Sequence, residues 1–185
     1  IVSGKSALMM LDGWTWEDCT LQAGTGLHIN WPSSGRTWDY WNYDEETSEK
    51  HKTLNERLQE LDQMLADARA YQAAVLSKSQ AGIDSRWEAM LPVLDGSRPV
   101  FIHANRLEQI ESAVYWCQRQ ALRMILVGGA DSWRCAALLK EHQIPVIYMH
   151  PHSQPMRRWE PYDAKYTVPA RLDDAGVKFC ITTST

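Results

Sequence analysis

The sequence lacks several features that mark whole classes of protein. Its four cysteines are far apart and form no Cys-x-x-Cys pair, which excludes a zinc knuckle and a redox-active dithiol motif. No apolar stretch approaches the roughly 20 residues that a membrane-spanning helix needs, so no membrane span is predicted. The net charge is −4 and no basic cluster exceeds Arg157 and Arg158, so nucleic acid is not an expected partner.

The two ends of the sequence lack the usual marks of a complete chain. There is no initiator Met and no signal peptide, and the last apolar run stops almost at the C-terminus. We therefore expect residues 1–185 to be an internal piece of a longer polypeptide that forms one partial domain. The residues themselves assign no compartment.

Four short apolar runs, each followed by a polar and helix-like stretch, dominate the second half of the sequence. Such runs, rich in β-branched residues, are typical of strands covered on both faces in a parallel sheet. They predict an α/β fold, either a doubly wound open sheet or half of a (β/α)8 barrel. A dinucleotide site is disfavoured because the GxGxxG pattern is missing. The four runs are residues 100–102, 124–127, 146–149 and 179–182.

The first part of the chain follows a different pattern. Residues 7–11 and 26–30 are strand candidates, and leucines spaced by three, four and seven predict a long helix over residues 45–79. We expect this helix to pack along its own domain rather than to form a dimeric coiled coil, because Gln72 interrupts the apolar seam.

Nine tryptophans are many for this length, and five of them fall within the first 41 residues. Aromatic platforms bind sugars, so a glycosidase is one hypothesis. Glycosidases need a facing carboxylate pair, whereas Glu17 and Asp18 are neighbours that would point to opposite sides of a strand. Core packing is the simpler explanation of the tryptophans.

The residues that follow the four runs are the main candidates for binding and catalysis, because ligands gather at the carboxyl ends of parallel strands. His103 follows the first run, Gly128 follows the second, and His150 and His152 follow the third. Arg157 lies in the loop beyond. Each of these residues also has a purely structural interpretation. The histidines would be loop or core residues, Gly128 would permit a tight turn, and Arg157 would be solvated.

Six stretches of the sequence carry a family resemblance: residues 100–104, 124–130, 12–18, 26–32, 161–164 and 169–172. They resemble the amidohydrolase superfamily, most closely its imidazolonepropionase-like members, which include exported bacterial proteins. The resemblance implies a partial (β/α)8 TIM-like barrel of the amidohydrolase type, roughly strands four to eight. It also implies zinc or another divalent metal ion at the strand ends, and hydrolysis of an amide or other C–N bond by metal-bound hydroxide.

Carried over residue by residue, the resemblance makes His103 the metal ligand at the end of the fifth strand. The histidine that should end the sixth strand falls near Gly128 and is absent. His150 and His152 are therefore alternative metal ligands or substrate-binding residues, and Gly128 and Arg157 are further substrate-binding candidates. The remaining ligands would lie outside the sequence.

Two functional hypotheses follow from this partial match. The first is a fragment of a metal-dependent amidohydrolase that acts on a small molecule or peptide and is inactive by itself. The second is a barrel with a degenerate metal site that serves as a non-catalytic binding or structural protein. Expected partners are the substrate and the remainder of its own barrel, with a homo-oligomer as an open alternative. The resemblance points to an exported or periplasmic location, and a cytoplasmic one stays open.

Overall fold

The computed structural model describes residues 2–32, 53–79, 82–155 and 157–182. Within them, strands and helices alternate along most of the chain. In order, the elements are β1 (Val2–Met9), α1 (Trp16–Cys19), β2 (Thr20–Asn30), α2 (Leu54–Leu76), α3 (Ser85–Glu88), α4 (Leu91–Leu94), β3 (Val100–Ala104), α5 (Leu107–Arg119), β4 (Met124–Gly128), a 3-10 turn (Ser132–Cys135), α6 (Ala136–Glu141), β5 (Val146–Met149), α7 (Ala164–Asp174) and β6 (Phe179–Thr182).

The strands form one six-stranded sheet in the order β1-β2-β3-β4-β5-β6. Strands β2 to β6 are all parallel to their neighbours, and β1 pairs antiparallel with β2. The four predicted apolar runs lie in β3 to β6. The N-terminal strand candidate, predicted over residues 7–11, is the longer β1, which begins at Val2.

The prediction of a partial (β/α)8 barrel with strands four to eight is wrong for the described chain. The sheet is mixed rather than all parallel, and β1 and β6 stand at its two edges without pairing with each other. A run of βα units has the same local pattern in an open and in a closed sheet, so the sequence does not separate them. The antiparallel edge strand is the feature that the βα pattern did not predict.

The two faces of the sheet are buried to different extents. The face named here the covered face packs against α2, α5, α6 and α7 in one apolar core. The opposite face, named the half-buried face, carries the alternate residues of the same strands. The covered face includes Leu27, Ile29, Val100, Ile102, Leu126 and Tyr148, and the half-buried face includes His28, Phe101, His103, Ile125 and Ile147.

Within the residues that the structure describes, the helices pack on the covered face, so the expectation that helices cover both faces is wrong there. In a sheet whose parallel strands follow one another in chain order, right-handed crossovers place all the connecting helices on one side. The half-buried face is nevertheless apolar enough to produce unbroken hydrophobic runs in the sequence, because Phe101, Ile125 and Ile147 lie on it.

The long helix α2 spans Leu54–Leu76, and residues 45–52 of the predicted helix are outside the described residues. It begins with a capping box, in which Thr53 accepts from the Glu56 N–H and Glu56 accepts from the Thr53 N–H. Leu61 and Leu65 are buried in the core, and Asp62 accepts a 2.8 Å hydrogen bond from the Trp116 indole of α5. None of the described helices is long and apolar enough to cross a membrane.

Candidate functional site

Two histidines meet on the half-buried face, near the carboxyl ends of β2 and β3. His28 Nδ1 lies 2.9 Å from His103 Nε2, a hydrogen-bond distance. The two strands place His28 beside Phe101, and their rings stack with centroids 4.7 Å apart and planes inclined by 12°. His103 lies two pairs further along, opposite Asn30 and on the same face as His28, so the two imidazoles meet on the diagonal of the ladder.

Burial favours the neutral form of both histidines. The pKa of His28 is lowered by burial, and the pKa of His103 is lowered by burial and by the nearby His28. Near neutral pH one ring therefore donates an N–H and the other accepts through a lone pair. Neutral imidazole nitrogens are also the form that binds metal ions.

One nitrogen of the pair has no hydrogen-bond partner. His28 Nε2 is buried and unpaired within the described part of the chain. His28 Nε2 has no partner in either tautomer of the pair: it is an unpaired donor in one and an unpaired acceptor in the other. An unmatched buried polar group costs about 1–3 kcal/mol. The pair is thus an incomplete polar cluster that a further group would satisfy.

At the end of β4 the backbone leaves no room for a side chain. Gly128 has a φ of +95°, and a Cβ there would lie 2.5 Å from Asn105 Oδ1. The following turn is fixed to the loop after β3, because the Gly129 N–H donates to the Ala104 carbonyl and the Asp131 N–H donates to the Asn105 carbonyl. Gly128 therefore shapes this turn, and its contact with a substrate stays a prediction.

His150 and His152 follow β5, as the sequence predicted, but they do not complete a metal site with His103. No group of three or more His, Cys, Asp or Glu side chains suited to a metal ion occurs among the residues that the structure describes. The His150 carbonyl accepts hydrogen bonds from Ser153, and the exposed His152 ring lies 5.5 Å from the ring of Tyr166. Their binding roles stay predictions.

Arg157 is the centre of an ion network beside the covered face. Its guanidinium donates to both oxygens of Asp131, at 2.8 and 2.5 Å, and to Glu160 at 2.7 Å. Asp131, only 3% exposed, also accepts from the Leu107 N–H at the start of α5. Burial alone would raise the pKa of Asp131, but these hydrogen bonds outweigh it and hold that pKa below its usual value.

Sequence analysis missed both His28 and Asp131 as parts of these clusters. A signal for His28 was present, because it lies inside a predicted strand and sequential strands tend to be neighbours in a sheet. Pairing residues 26–30 with residues 100–102 would have placed the two histidines close together. The link from Asp131 to Arg157 had no such signal, since it depends on how a long loop folds.

Comparison with known proteins supports the fold and little beyond it. The structure is similar to the crystal structure of an amidohydrolase from Thermotoga maritima MSB8, with a TM-score of 0.76 and 16% sequence identity. The match covers 98% of this chain and 47% of that one, so the chain spans about half of that protein's length. No family model and no curated protein match the chain. At this identity the likeness shows a shared fold alone.

Proposed function

We propose that this chain forms part of an amidohydrolase-type hydrolase in which His28 and His103 bind a divalent metal ion, zinc for example. The observation that carries the proposal is the pair of neutral imidazoles whose nitrogens face each other at 2.9 Å near two parallel strand ends. The structural likeness to a Thermotoga amidohydrolase supports hydrolase-like chemistry. The proposed reaction is cleavage of an amide or other C–N bond in a small molecule or peptide.

The donor set fits such an ion in part. A catalytic zinc takes three protein ligands and a water, and its two histidine nitrogens lie about 3.3 Å apart in a tetrahedral site. His28 and His103 supply two nitrogens 2.9 Å apart, one of which carries the proton of their hydrogen bond. Metal binding would therefore require the donor ring to change tautomer, both rings to rotate until their lone pairs converge, and the two nitrogens to separate by about 0.4 Å. The third ligand, and a partner for the orphaned His28 Nε2, must come from outside the described residues.

The side chains around the pair prepare it for this role. When bound, a divalent ion would lower the pKa of a water ligand to about 7 and would polarise the scissile carbonyl. Phe101 holds the plane of the His28 ring by stacking, and the lowered pKa values favour the neutral imidazoles that metal binding requires. Ile125 and Ile147 add apolar surface to the same face.

The identity of the substrate and the closer kinship with imidazolonepropionase-like proteins are parts of this proposal. Because the chain spans about half of the Thermotoga protein, we propose the activity for a longer polypeptide that contains these residues. We expect these 185 residues alone to bind metal weakly and to hydrolyse no amide.

Calorimetric titration of the chain with Zn²⁺ and Co²⁺ tests the proposal. We expect His103→Ala and His28→Ala each to weaken binding by about tenfold or more, since each removes one of few ligands. His142→Ala, which alters a histidine at the end of α6, is the matched control and should bind like the unchanged chain. Loss of binding in His150→Ala or His152→Ala, with His28→Ala unaffected, would instead assign the ion to the loop after β5.

A second candidate is a non-catalytic binding protein with a degenerate metal site. The observation that favours it is Gly128, because its backbone conformation and the Asn105 side chain exclude a histidine at that place. Absence of stoichiometric metal from the chain and from the longer polypeptide, purified without chelator, would support this candidate and overturn the hydrolase proposal.

A further inference from the structure

A cavity of about 330 Å³ opens between the loop after β4 and one side of α7. Its size falls in the range of small-molecule sites. Neither histidine of the proposed metal pair lines it. The residues that matter for its chemistry are Asp131, Trp133, Trp159, Glu160, Lys165 and Arg171.

Two cations that line the cavity, Lys165 and Arg171, make no ion pair within the described residues. The carboxylates of Asp131 and Glu160 share one guanidinium, that of Arg157, which does not itself line the cavity. Lys165 donates to the Ser153 hydroxyl at 2.7 Å, and neither it nor Arg171 pairs with a carboxylate within the described residues. With Asp163, the third lining carboxylate, the formal charges of the lining and of Arg157 balance, so an anion would bind through these two cations and not through a net positive charge.

Two indole rings supply the apolar part of the cavity. Trp133 is 37% exposed and Trp159 is 71% exposed, which is unusual for side chains of this size. The Arg171 guanidinium lies 4.1 Å above the Trp133 ring, a cation–π contact that fixes its position over the cavity. A guanidinium held in this way keeps its N–H groups free to bind a carboxylate in two-point fashion.

We infer that this cavity binds a small organic carboxylate with a flat apolar body. The carboxylate contacts Arg171, with Lys165 as the second cation, and the flat body lies against the indoles of Trp133 and Trp159. The site goes beyond the proposed hydrolase function and does not depend on it, because it requires no metal ion and no histidine.

A matched set of three ligands tests the charge requirement. Benzoate, benzamide and benzylamine share one ring and differ in charge, and their binding to the 185-residue chain is measured by saturation-transfer NMR and calorimetry. We expect benzoate to bind about tenfold or more tightly than the other two, because only it makes charge-assisted hydrogen bonds to Arg171. Equal binding of benzoate and benzamide, or tighter binding of benzylamine, would overturn the inference.

Two variants locate the binding. Arg171→Leu should weaken benzoate binding about tenfold or more, and Arg171→Lys should weaken it less, since a point charge remains. Arg86→Leu is the matched control, because Arg86 also lies over a tryptophan, Trp87, at 5.6 Å from its ring centre. Unchanged benzoate binding in Arg171→Leu would overturn the inference.

Thr167→Phe gives an independent answer if loss of Arg171 also harms folding. Thr167 lines the cavity from α7, so a phenyl group there fills the space without changing any charge. Benzoate binding should be lost while the thermal unfolding midpoint stays close to that of the unchanged chain. Binding of inorganic phosphate as tight as that of benzoate would show an anion site with no role for the indoles, which contradicts the inference.

Discussion

The two faces of the sheet carry alternate residues of the same strands, and they differ in burial and in the side chains that they present. On β3, Val100 and Ile102 are 0% exposed on the covered face, whereas Phe101 and His103 stay half-buried on the other. The covered face joins four helices into one core, and the half-buried face carries the histidine pair. The two-residue period of the strands thus places the apolar core on one face and the histidine pair on the other.

The sharpest test of the comparison replaces neighbouring residues on β3. Ile102→Ala should lower the free energy of unfolding by about 2–5 kcal/mol, because it opens a cavity in the core. His103→Ala should lower it by only about 1 kcal/mol, the value of a single hydrogen bond. Urea denaturation measures both, and Ile102→Val, with an expected cost of about 0.5–1.5 kcal/mol, calibrates the core position. Equal losses in the two alanine variants would mean that the faces do not differ in this way.

The covered side also contains an ion pair between Asp131 and Arg157, so apolar packing is not its only source of stability. Asp131→Asn should lower the free energy of unfolding by about 2–3 kcal/mol. The loss is smaller than for a fully buried ion pair, because Arg157 still pairs with Glu160 and stays partly hydrated. Asp163→Asn, which changes a carboxylate on the same cavity wall, is the control and should cost much less.

The pH dependence of the stability of Asp131→Asn tests whether the Asp131 carboxylate is the cause of this loss. The pKa of Asp131 is lower in the folded chain than in the unfolded chain, so the unfolded chain takes up protons first as the pH falls. The stabilisation is complete above the unfolded pKa of about 3.9 and is lost as the pH falls through the folded value. Asp131→Asn should flatten the acid side of the stability curve. An unchanged acid side would rule out Asp131 as the titrating group.

The turn after β4 shows how strongly the backbone at Gly128 excludes a side chain. Gly128→Ala should cost at least about 1–2 kcal/mol from its left-handed backbone alone, and the close approach to Asn105 adds to this. In an Asn105→Ala background, Gly128→Ala should cost less, because the contact with Asn105 is gone and only the backbone contribution remains. Urea denaturation measures the difference. Full tolerance of Gly128→Ala would show that neither the backbone nor Asn105 excludes a side chain at this position.

The sequence predicted the positions of β3 to β6 well, because short apolar runs bounded by turn residues are strong local signals. It did not predict which faces the helices cover, since Phe101 and Ile125 on the half-buried face are as apolar as Ile102 on the other. It did not predict the open, mixed sheet either, because the antiparallel pairing of β1 with β2 is a tertiary property of the first 30 residues.

The candidate site was predicted in part for a related reason. His103 was found from its place at a strand end, whereas its partner His28 is 75 residues away in sequence and becomes a neighbour only through the pairing of β2 with β3. The Arg157 network was missed because its geometry depends on side-chain contacts between two loops. Local pattern located the strand ends, and only the fold showed which of them meet.

The smallest expected effect concerns the histidine pair itself. Both pKa values are lowered in the folded chain, so below about pH 6.5 the unfolded chain binds more protons than the folded one. By linkage, stability must then decrease as the pH falls from about 7 to 5.

His28→Asn and His103→Asn should each reduce this slope of stability against pH, and the double variant should reduce it most, because asparagine does not titrate. The measurement is the urea midpoint at several pH values in that range, with metal excluded. A double variant with the slope of the unchanged chain would show that the pair is not held neutral by the fold. Added Zn²⁺ should steepen the slope of the unchanged chain alone, because protons compete with the metal ion for the two imidazoles.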